Sequence, residues 1–257
     1  MKIKNLINWK LFLLLFGAGL FGIITITPFL LTTQGDVLKE LSIPLPVVIL
    51  ISTIQSAIFI GIATFIGLFL NKKVGFATPI ISSWLAGESI SKKTKSVAIV
   101  SIKFGVLSGL LIIGFDYLFN FFIEPISAAS TPLWQGFLAA FYGGIGEEIL
   151  LRLFFVTLLV WIMWRFSRST DIKPSTTTIW VAIVSAAIIF GLGHLPATAV
   201  LITITPLIIL RAVLLNGIGG VIFGWLYWKK GLEAAIIAHF ITDIVLLVIF
   251  PLVLTLG

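Results

Sequence analysis

Three charged side chains lie inside an apolar run that is long enough to span a lipid bilayer. Glu147, Glu148 and Arg152 interrupt the segment from Leu133 to Trp164, which is otherwise mainly apolar. A charged side chain at the centre of a bilayer helix costs about 3 kcal/mol on insertion scales. Such residues are retained where they face a polar cavity inside a helix bundle. The run therefore predicts a membrane-embedded site for catalysis or transport.

Composition assigns the chain to the polytopic α-helical membrane proteins. Hydrophobic residues make up 59% of the 257 residues and charged residues only 11%, whereas a soluble domain has about 25% charged residues. The long apolar runs exclude a membrane β-barrel, whose strands alternate apolar and polar residues. The absence of cysteine excludes disulfides and thiolate metal sites. The predicted fold is all-α, a single integral membrane domain over 1–257 with a polar cavity between its transmembrane helices.

Apolar runs of about 20 residues, the length that one crossing needs, occur seven times. The predicted spans are 11–32, 46–70, 97–122, 133–164, 177–194, 207–228 and 232–254. The first is too long for the apolar part of a signal peptide, so we expect it to remain as a spanning helix. The fourth exceeds one perpendicular crossing, which predicts tilt or an extension into the cytoplasm. The short apolar stretch from Leu195 to Pro206 is interpreted as a loop near the membrane surface.

Basic residues cluster in alternate connections between the spans. Thirteen of the 17 basic residues fall on one predicted face: Lys2, Lys4, Lys10, Lys72, Lys73, Lys92, Lys93, Lys95, Arg165, Arg168, Lys173, Lys229 and Lys230. The opposite connections contain mainly Asp36, Lys39, Glu40 and Glu124. The positive-inside rule then predicts a cytoplasmic N-terminus and an external C-terminus. Topology accounts for the net charge of +7, and no nucleic-acid partner is predicted.

Aromatic residues next to the basic clusters agree with this orientation. Trp161 and Trp164 precede Arg165, and a second group precedes Lys229. The members of that second group are Trp225, Tyr227 and Trp228. Because amphipathic rings favour the headgroup level, we interpret both groups as anchors at the cytoplasmic boundary. The start of the chain, rich in Lys, Ile and Asn, is typical of an AT-rich prokaryotic genome, so the predicted location is a prokaryotic cell membrane.

The spacing of the first motif gives its two glutamates different roles. Glu148 and Arg152 are four residues apart and share a helix face, which predicts an ion pair. Glu147 points about 100° away around the helix and has no such partner, so it is the candidate general base. A structural ion pair that locks helix packing is the alternative interpretation. Three glycines just before the pair allow a neighbouring helix to approach closely or leave room for substrate, with packing alone as the favoured role: Gly143, Gly144 and Gly146.

The only two histidines of the chain lie in or at the end of apolar spans. Phe190 and His194 close the fifth span. His239 and Asp243, four apart in the seventh span, share a helix face, so Asp243 can hold the imidazole of His239. Each motif alone is compatible with a structural role. Together, six ionisable groups in three helices that contain few others favour one shared site in a polar cavity.

The chemistry of such a site stays open on the residues alone. Carboxylates and histidines activate water as general bases. The same groups can hold zinc through His194, His239 and one carboxylate, with a coordination position open for catalysis. A chain of polar groups across a bundle can also relay protons in a transporter. There is no glycine-rich phosphate loop, cysteine nucleophile or candidate serine–histidine triad in the sequence.

The three motifs, in this order, resemble those of the CAAX protease and bacteriocin-processing family of intramembrane proteases. The family is also called the type II CAAX prenyl endopeptidase or abortive-infection family. Its pattern is Glu-Glu-x-x-x-Arg, then Phe-x-x-x-His, then His-x-x-x-Asn or a similar polar residue. The corresponding residues are Glu147-Glu148 with Arg152, Phe190 with His194, and His239 with Asp243. The resemblance covers about 133–245, the predicted protease core, and leaves 1–132 as accessory spans one to three.

The resemblance implies an intramembrane endopeptidase with its site in a membrane-embedded cavity. By this analogy, Glu147 activates the hydrolytic water together with His194, while Glu148 and Arg152 support them. The implied partners are membrane lipid and a membrane-associated peptide or protein substrate, which in some members carries a lipid. Two other functions remain as alternatives: a non-catalytic bacteriocin-immunity or scaffold protein, and a proton-coupled transporter. The transporter is disfavoured because the sequence contains no recognisable internal repeat.

Two positions depart from the family pattern. Leu153 follows the arginine where glycine is common, and Asp243 stands where asparagine is frequent. The resemblance implies that His239 and Asp243 position the scissile carbonyl or stabilise its oxyanion, although an aspartate is better suited to orienting His239. The family has been described as both metal-dependent and glutamate-dependent. Two histidines favour the glutamate mechanism without a cofactor; zinc held by His194, His239 and Glu147 is the alternative.

Overall fold

Seven helical segments of the structure are long and apolar enough to cross a membrane, as the sequence predicted. The structure is a computed structural model that describes residues 7–40, 42–123, 131–167 and 172–256, and within these ranges it contains no strand. The seven segments are Trp9–Thr33, Leu45–Val74, Ser91–Phe119, Leu133–Phe166, Thr176–Ala199, Pro206–Lys230 and Leu232–Leu256. The predicted fold class, an all-α bundle with seven spans, is confirmed.

Two of these spans combine α-helical and π-helical turns. In chain order the helices are α1 (Trp9–Thr33), α2 (Gly35–Glu40), α3 (Leu45–Val74), α4 (Pro79–Leu85), α5 (Ser91–Phe119), α6 (Leu133–Phe141), π1 (Tyr142–Glu147), π2 (Ile149–Val156), α7 (Thr157–Phe166), α8 (Thr176–Gly193), α9 (Leu195–Ala199), α10 (Pro206–Lys230), α11 (Leu232–Ile244), π3 (Val245–Ile249) and α12 (Phe250–Leu256). The fourth span runs from α6 to α7 and the seventh from α11 to α12. The loop predicted from Leu195 onward is wrong for its first residues, because α9 continues the fifth span.

The helix ends that carry basic residues meet at one face of the bundle. Lys73, at the end of α3, lies 5.9 Å from the ring centroid of Trp161 in α7. Trp180, near the start of α8, packs edge-on against Trp228 near the end of α10, with centroids 6.0 Å apart. The shared face agrees with the charge pattern, and its cytoplasmic assignment stays a prediction. Four residues used in that assignment lie outside the described ranges: Lys2, Lys4, Glu124 and Arg168.

A short helix, α4, covers the start of α11 on this face. The buried Glu233 carboxylate accepts hydrogen bonds through Oε1 from the backbone N–H groups of Ile80 (2.9 Å) and Ile81 (2.8 Å). Gly231 has φ +97°, and a Cβ at this position would collide with the ring of Pro79. The first turn of α11 therefore lies beneath α4 rather than at the edge of the bundle.

Removal of the Glu233 carboxylate is expected to weaken this junction. Glu233→Ala leaves two N–H groups at the start of α4 without their acceptor, which is expected to lower the free energy of unfolding by about 1–2 kcal/mol. Glu233→Gln keeps a carbonyl acceptor and is expected to retain most of the stability. Thermal unfolding in detergent measures the difference. Glu88→Ala, which removes an exposed carboxylate, is the control; an equal loss in both alanine variants would contradict the role of Glu233.

Glycines set the close approach of the helices around the fourth and seventh spans. A Cβ on Gly144 would come within 2.9 Å of the Phe240 Cβ, and one on Gly105 within 2.5 Å of the Ala238 carbonyl oxygen. Residues without a side chain allow such helices to pack almost backbone to backbone. The close approach predicted for the glycines before Glu147 is therefore confirmed at Gly144. Span seven is held tightly between spans three and four.

Candidate active site

The acidic pair lies where two π-helical segments meet. Glu147 is the last residue of π1, and Glu148 connects π1 to π2. In a π-helix the backbone hydrogen bonds span five residues instead of four. Such turns are rare in proteins, and those that occur are often found at functional sites. A wider turn also advances less per residue. The 34 residues of span four therefore cover a shorter path than the same number in a regular α-helix.

Glu148 is the most buried charged group of the site. Its carboxylate is fully buried, and its Oε1 lies 2.8 Å from Nη1 of Arg152, which is 2% exposed. The ion pair predicted from the four-residue spacing is therefore present, although it is too bent to form a hydrogen bond at Nη1. Arg152 Nη2 donates to the Gly220 carbonyl at 3.1 Å. The guanidinium also lies over the rings of Phe190 and Phe223, at 5.6 and 5.4 Å from their centroids.

His239 is held by Glu148. Its Nδ1 lies 2.8 Å from Glu148 Oε1 and donates, because an ionised carboxylate only accepts. One face of the imidazole stacks on Phe223, with centroids 4.6 Å apart. Its Nε2 faces Glu147 Oε2 at 3.6 Å and Asp243 Oδ1 at 3.7 Å. Glu148 thus takes the orienting role expected of Asp243, which approaches the other ring nitrogen at a distance longer than a hydrogen bond.

Gly143 provides the space that Asp243 and His239 occupy. A Cβ on Gly143 would collide with Oδ2 of Asp243 and would lie 3.3 Å from His239 Nε2. From the sequence, this glycine was expected to allow close helix approach or to leave room for substrate, with packing alone as the favoured role. Its position against two candidate site residues shows that it also shapes the site.

His194 lies next to this cluster without a direct polar contact to it. It follows the last residue of α8, where its Nδ1 donates to the Phe190 carbonyl at 2.8 Å. That donation leaves Nε2 of a neutral imidazole as its acceptor. The Phe190 ring packs edge-on against both histidine rings, with centroids 4.6 Å from His194 and 6.1 Å from His239. Of the six predicted site residues, five form one network of close contacts, and among the described residues His194 joins them only through Phe190.

Two of the three side chains of the zinc alternative, His239 and Glu147, lie 3.6 Å apart, and within the described part of the chain His194 makes no direct polar contact with them. Across the described ranges, no group of three or more His, Asp or Glu side chains is arranged to hold a metal ion. The bond from Nδ1 of His239 to Glu148 leaves Nε2 as the nitrogen that a metal would use, and His194 makes no ion pair with Glu147 among the described residues. The zinc alternative therefore stays a prediction.

The sequence did not predict the polar contacts of Tyr227 and Arg211. Tyr227, interpreted as a headgroup anchor, is fully buried, and its hydroxyl bonds to Asn71 and Thr157. The sequence shows Tyr227 only as one of three aromatic residues just before Lys229, so it does not distinguish a buried tyrosine from a headgroup anchor. A second ion pair joins α10 to α5 near their other ends, between Arg211 Nη2 and Asp116 Oδ1 at 2.5 Å.

Comparison with known proteins identifies the segment that contains these motifs. Residues 129–245 match the family model of the Rce1-like type II CAAX prenyl endopeptidases. No curated protein and no solved structure matches the chain. The matched segment contains the acidic pair, Arg152 and both histidine motifs. Over residues 129–245, the chain therefore resembles the Rce1-like type II CAAX prenyl endopeptidases, and the resemblance that its motifs indicated is confirmed.

Proposed function

We propose that the protein is an intramembrane endopeptidase in which Glu147 activates the water that attacks the peptide bond. The family match supports a CAAX-type protease in general terms. The observation that carries the finer proposal is the contrast between two carboxylates around one imidazole. Glu148 is fully buried, forms an ion pair with Arg152 and accepts a hydrogen bond from His239. Glu147 is 21% exposed and faces the free nitrogen of His239, which suits a general base that must reach water.

The distances around His239 Nε2 favour a bridging water. The 3.6 Å and 3.7 Å separations from Glu147 and Asp243 exceed direct hydrogen bonds, and contacts of this length are commonly bridged by water. In the proposed reaction, Glu147 takes a proton from such a water while the oxygen of the water bonds to the carbonyl carbon of the scissile peptide bond. Glu147 then returns the proton to the amine nitrogen as the C–N bond breaks. Glu148 keeps His239 aligned with the reacting atoms.

The direct test is cleavage of membrane-associated peptides by the protein in lipid nanodiscs. Glu147→Gln keeps the size of the side chain but removes the base, so we expect the rate to fall by about 10²–10⁴-fold. His194→Ala is expected to reduce the rate as well, since the resemblance assigns His194 to the same water. Glu88→Gln, on an exposed turn, is the control and is expected to cleave at the wild-type rate. Unchanged rates in both Glu147→Gln and His194→Ala would refute the proposal.

Treatment with a chelator distinguishes the glutamate mechanism from the metal-dependent one. We expect cleavage to persist after treatment with a strong chelator. Loss of activity that returns on addition of Zn²⁺ would contradict the metal-free mechanism but not the peptidase function. The substrate class is proposed as membrane-associated peptides or proteins, and peptides that accumulate in membranes of cells expressing Glu147→Gln would identify it. A cellular phenotype that survives this substitution would instead favour a non-catalytic role.

A further inference from the structure

We propose that Tyr227 is a positioning residue of the active site, acting through Thr157 on the backbone of Arg152. The Tyr227 hydroxyl then determines where span four returns from π-helical to α-helical hydrogen bonding. Its kinetic consequence rests on the proposed peptidase function. Its structural consequence at His239 does not, and the two are tested separately below.

A directed chain of hydrogen bonds links three spans. The Asn71 side-chain amide in α3 donates to the Tyr227 hydroxyl in α10 at 3.0 Å. The Thr157 hydroxyl lies 2.8 Å from the Tyr227 hydroxyl and 3.0 Å from the Arg152 carbonyl oxygen. A carbonyl only accepts, so Thr157 donates to Arg152 and must accept from Tyr227. Every hydroxyl proton in the chain is used, and all three bonds run in the same direction.

The chain ends on the carbonyl that closes the π-helix. The Thr157 backbone N–H is shared between the Phe154 and Arg152 carbonyls, and its bond to Arg152 has the five-residue spacing that defines a π-helix. Thr157 therefore holds this carbonyl with both its backbone and its side chain. The Tyr227 hydroxyl fixes the orientation of the Thr157 side chain. Without Tyr227, the carbonyl is free to shift toward the ordinary four-residue bond.

A shift at Arg152 reaches His239 through a single oxygen atom. Arg152 Nη1 and His239 Nδ1 both lie 2.8 Å from Oε1 of Glu148. Movement of the Arg152 backbone moves its guanidinium, and the guanidinium in turn moves Oε1 of Glu148, the atom that orients the His239 imidazole. Misplacement of reacting groups by about 1 Å is enough to reduce a rate about 100-fold.

Because it is buried, the Tyr227 hydroxyl is necessary for the hydrogen-bond chain from Asn71 to Arg152. Tyr227 and Thr157 are fully buried, and Asn71 is nearly so. Phe76 packs edge-on against the Tyr227 ring, with centroids 4.8 Å apart. Since no part of Tyr227 or Thr157 is exposed, a water molecule would need space among the packed side chains to replace the lost partner. Deletion of one oxygen atom therefore breaks the chain without changing the shape of the packing.

The kinetic test compares variants that differ by single groups. Tyr227→Phe is expected to lower kcat about tenfold or more with KM nearly unchanged, since positioning and not substrate binding is lost. Thr157→Val is expected to do the same, Thr157→Ser to retain activity, and the double variant to be no worse than either single one. Tyr117→Phe is the matched control: it removes the same atom from a side chain that is 65% exposed and is expected to leave kcat unchanged.

The spectroscopic test needs no substrate. The chain has only two histidines, so ¹⁵N-histidine labelling gives signals from two imidazoles, which His194→Ala assigns. Tyr227→Phe is expected to shift the His239 Nδ1 resonance and to leave those of His194 in place. This result stands even if the wild-type protein cleaves no peptide, in which case only the proposed function fails. Unchanged His239 resonances in Tyr227→Phe would overturn the inference, whether the variant loses thermal stability, kcat or neither.

Discussion

Arg152→Met is expected to lower the free energy of unfolding by about 3–5 kcal/mol, because it leaves the buried Glu148 carboxylate without its cation. Methionine fills much of the space of the arginine stem, so loss of packing contributes little. Unfolding in detergent micelles, followed by helical circular dichroism over a temperature or denaturant series, measures the change. The size of the effect follows from burial: Glu148 and Arg152 are 0% and 2% exposed.

The ion pair between Arg211 and Asp116 provides the control for this experiment. Arg211 and Asp116 are 20% and 37% exposed, so Arg211→Met is expected to cost no more than about 1 kcal/mol. Removal of both buried charges, in Arg152→Met with Glu148→Leu, is expected to destabilise less than Arg152→Met alone, since no uncompensated charge remains. Equal losses in the two arginine variants would show that the buried pair does not depend on charge compensation.

Gly143→Ala is expected to reduce peptide cleavage by about 100-fold or more. The added methyl group would collide with the Asp243 carboxylate beside Nε2 of His239, and displacement of reacting groups by about 1 Å has effects of this size. The measurement is the cleavage rate in nanodiscs. Gly17→Ala makes the same chemical change where no atom lies within 4 Å of the new methyl group, and is expected to cleave normally.

A second substitution distinguishes a local collision from a general defect. Asp243→Ala in the Gly143→Ala background removes the carboxylate that the methyl group meets. The double variant is therefore expected to recover thermal stability lost in Gly143→Ala, although not its activity. If Gly143→Ala unfolds at the wild-type temperature and cleaves at the wild-type rate, the site does not require the space at this position.

The spans were predictable because bilayer thickness fixes the length of an apolar helix. Their ends were not, since hydropathy detects only the apolar part of each helix. The second span was predicted to end at residue 70, yet α3 continues through Lys72 and Lys73 to Val74. The third was predicted from residue 97, yet α5 begins at Ser91, and its first five residues include three lysines. Long basic side chains extend toward the headgroups, so these turns stay helical beyond the hydrocarbon.

The site was predictable where its contacts are local in the chain. The pairing of Glu148 with Arg152 followed from their spacing, whereas the bond from His239 to Glu148 joins residues 91 apart. A uniform rise of about 1.5 Å per residue puts Glu147 about 25 Å from the end of its helix and His239 only about 12 Å above Gly231. The structure brings them together because π-helical turns shorten span four and α11 begins beneath α4. Neither feature has a signal in residue type or periodicity.

The π-helical turns also change how span four is compared with equivalent segments of other proteins. A hydrogen bond over five residues accommodates one residue more than an α-helical turn, so π1 and π2 absorb surplus residues between flanks that remain α-helical. A helical wheel drawn at one period from Trp134 would then assign the wrong faces from Arg152 onward. A homologous span that is a regular α-helix would therefore align with span four only after a shift in numbering within 142–156. Deletion of one residue there would preserve the span but change the geometry of Glu148 and Arg152.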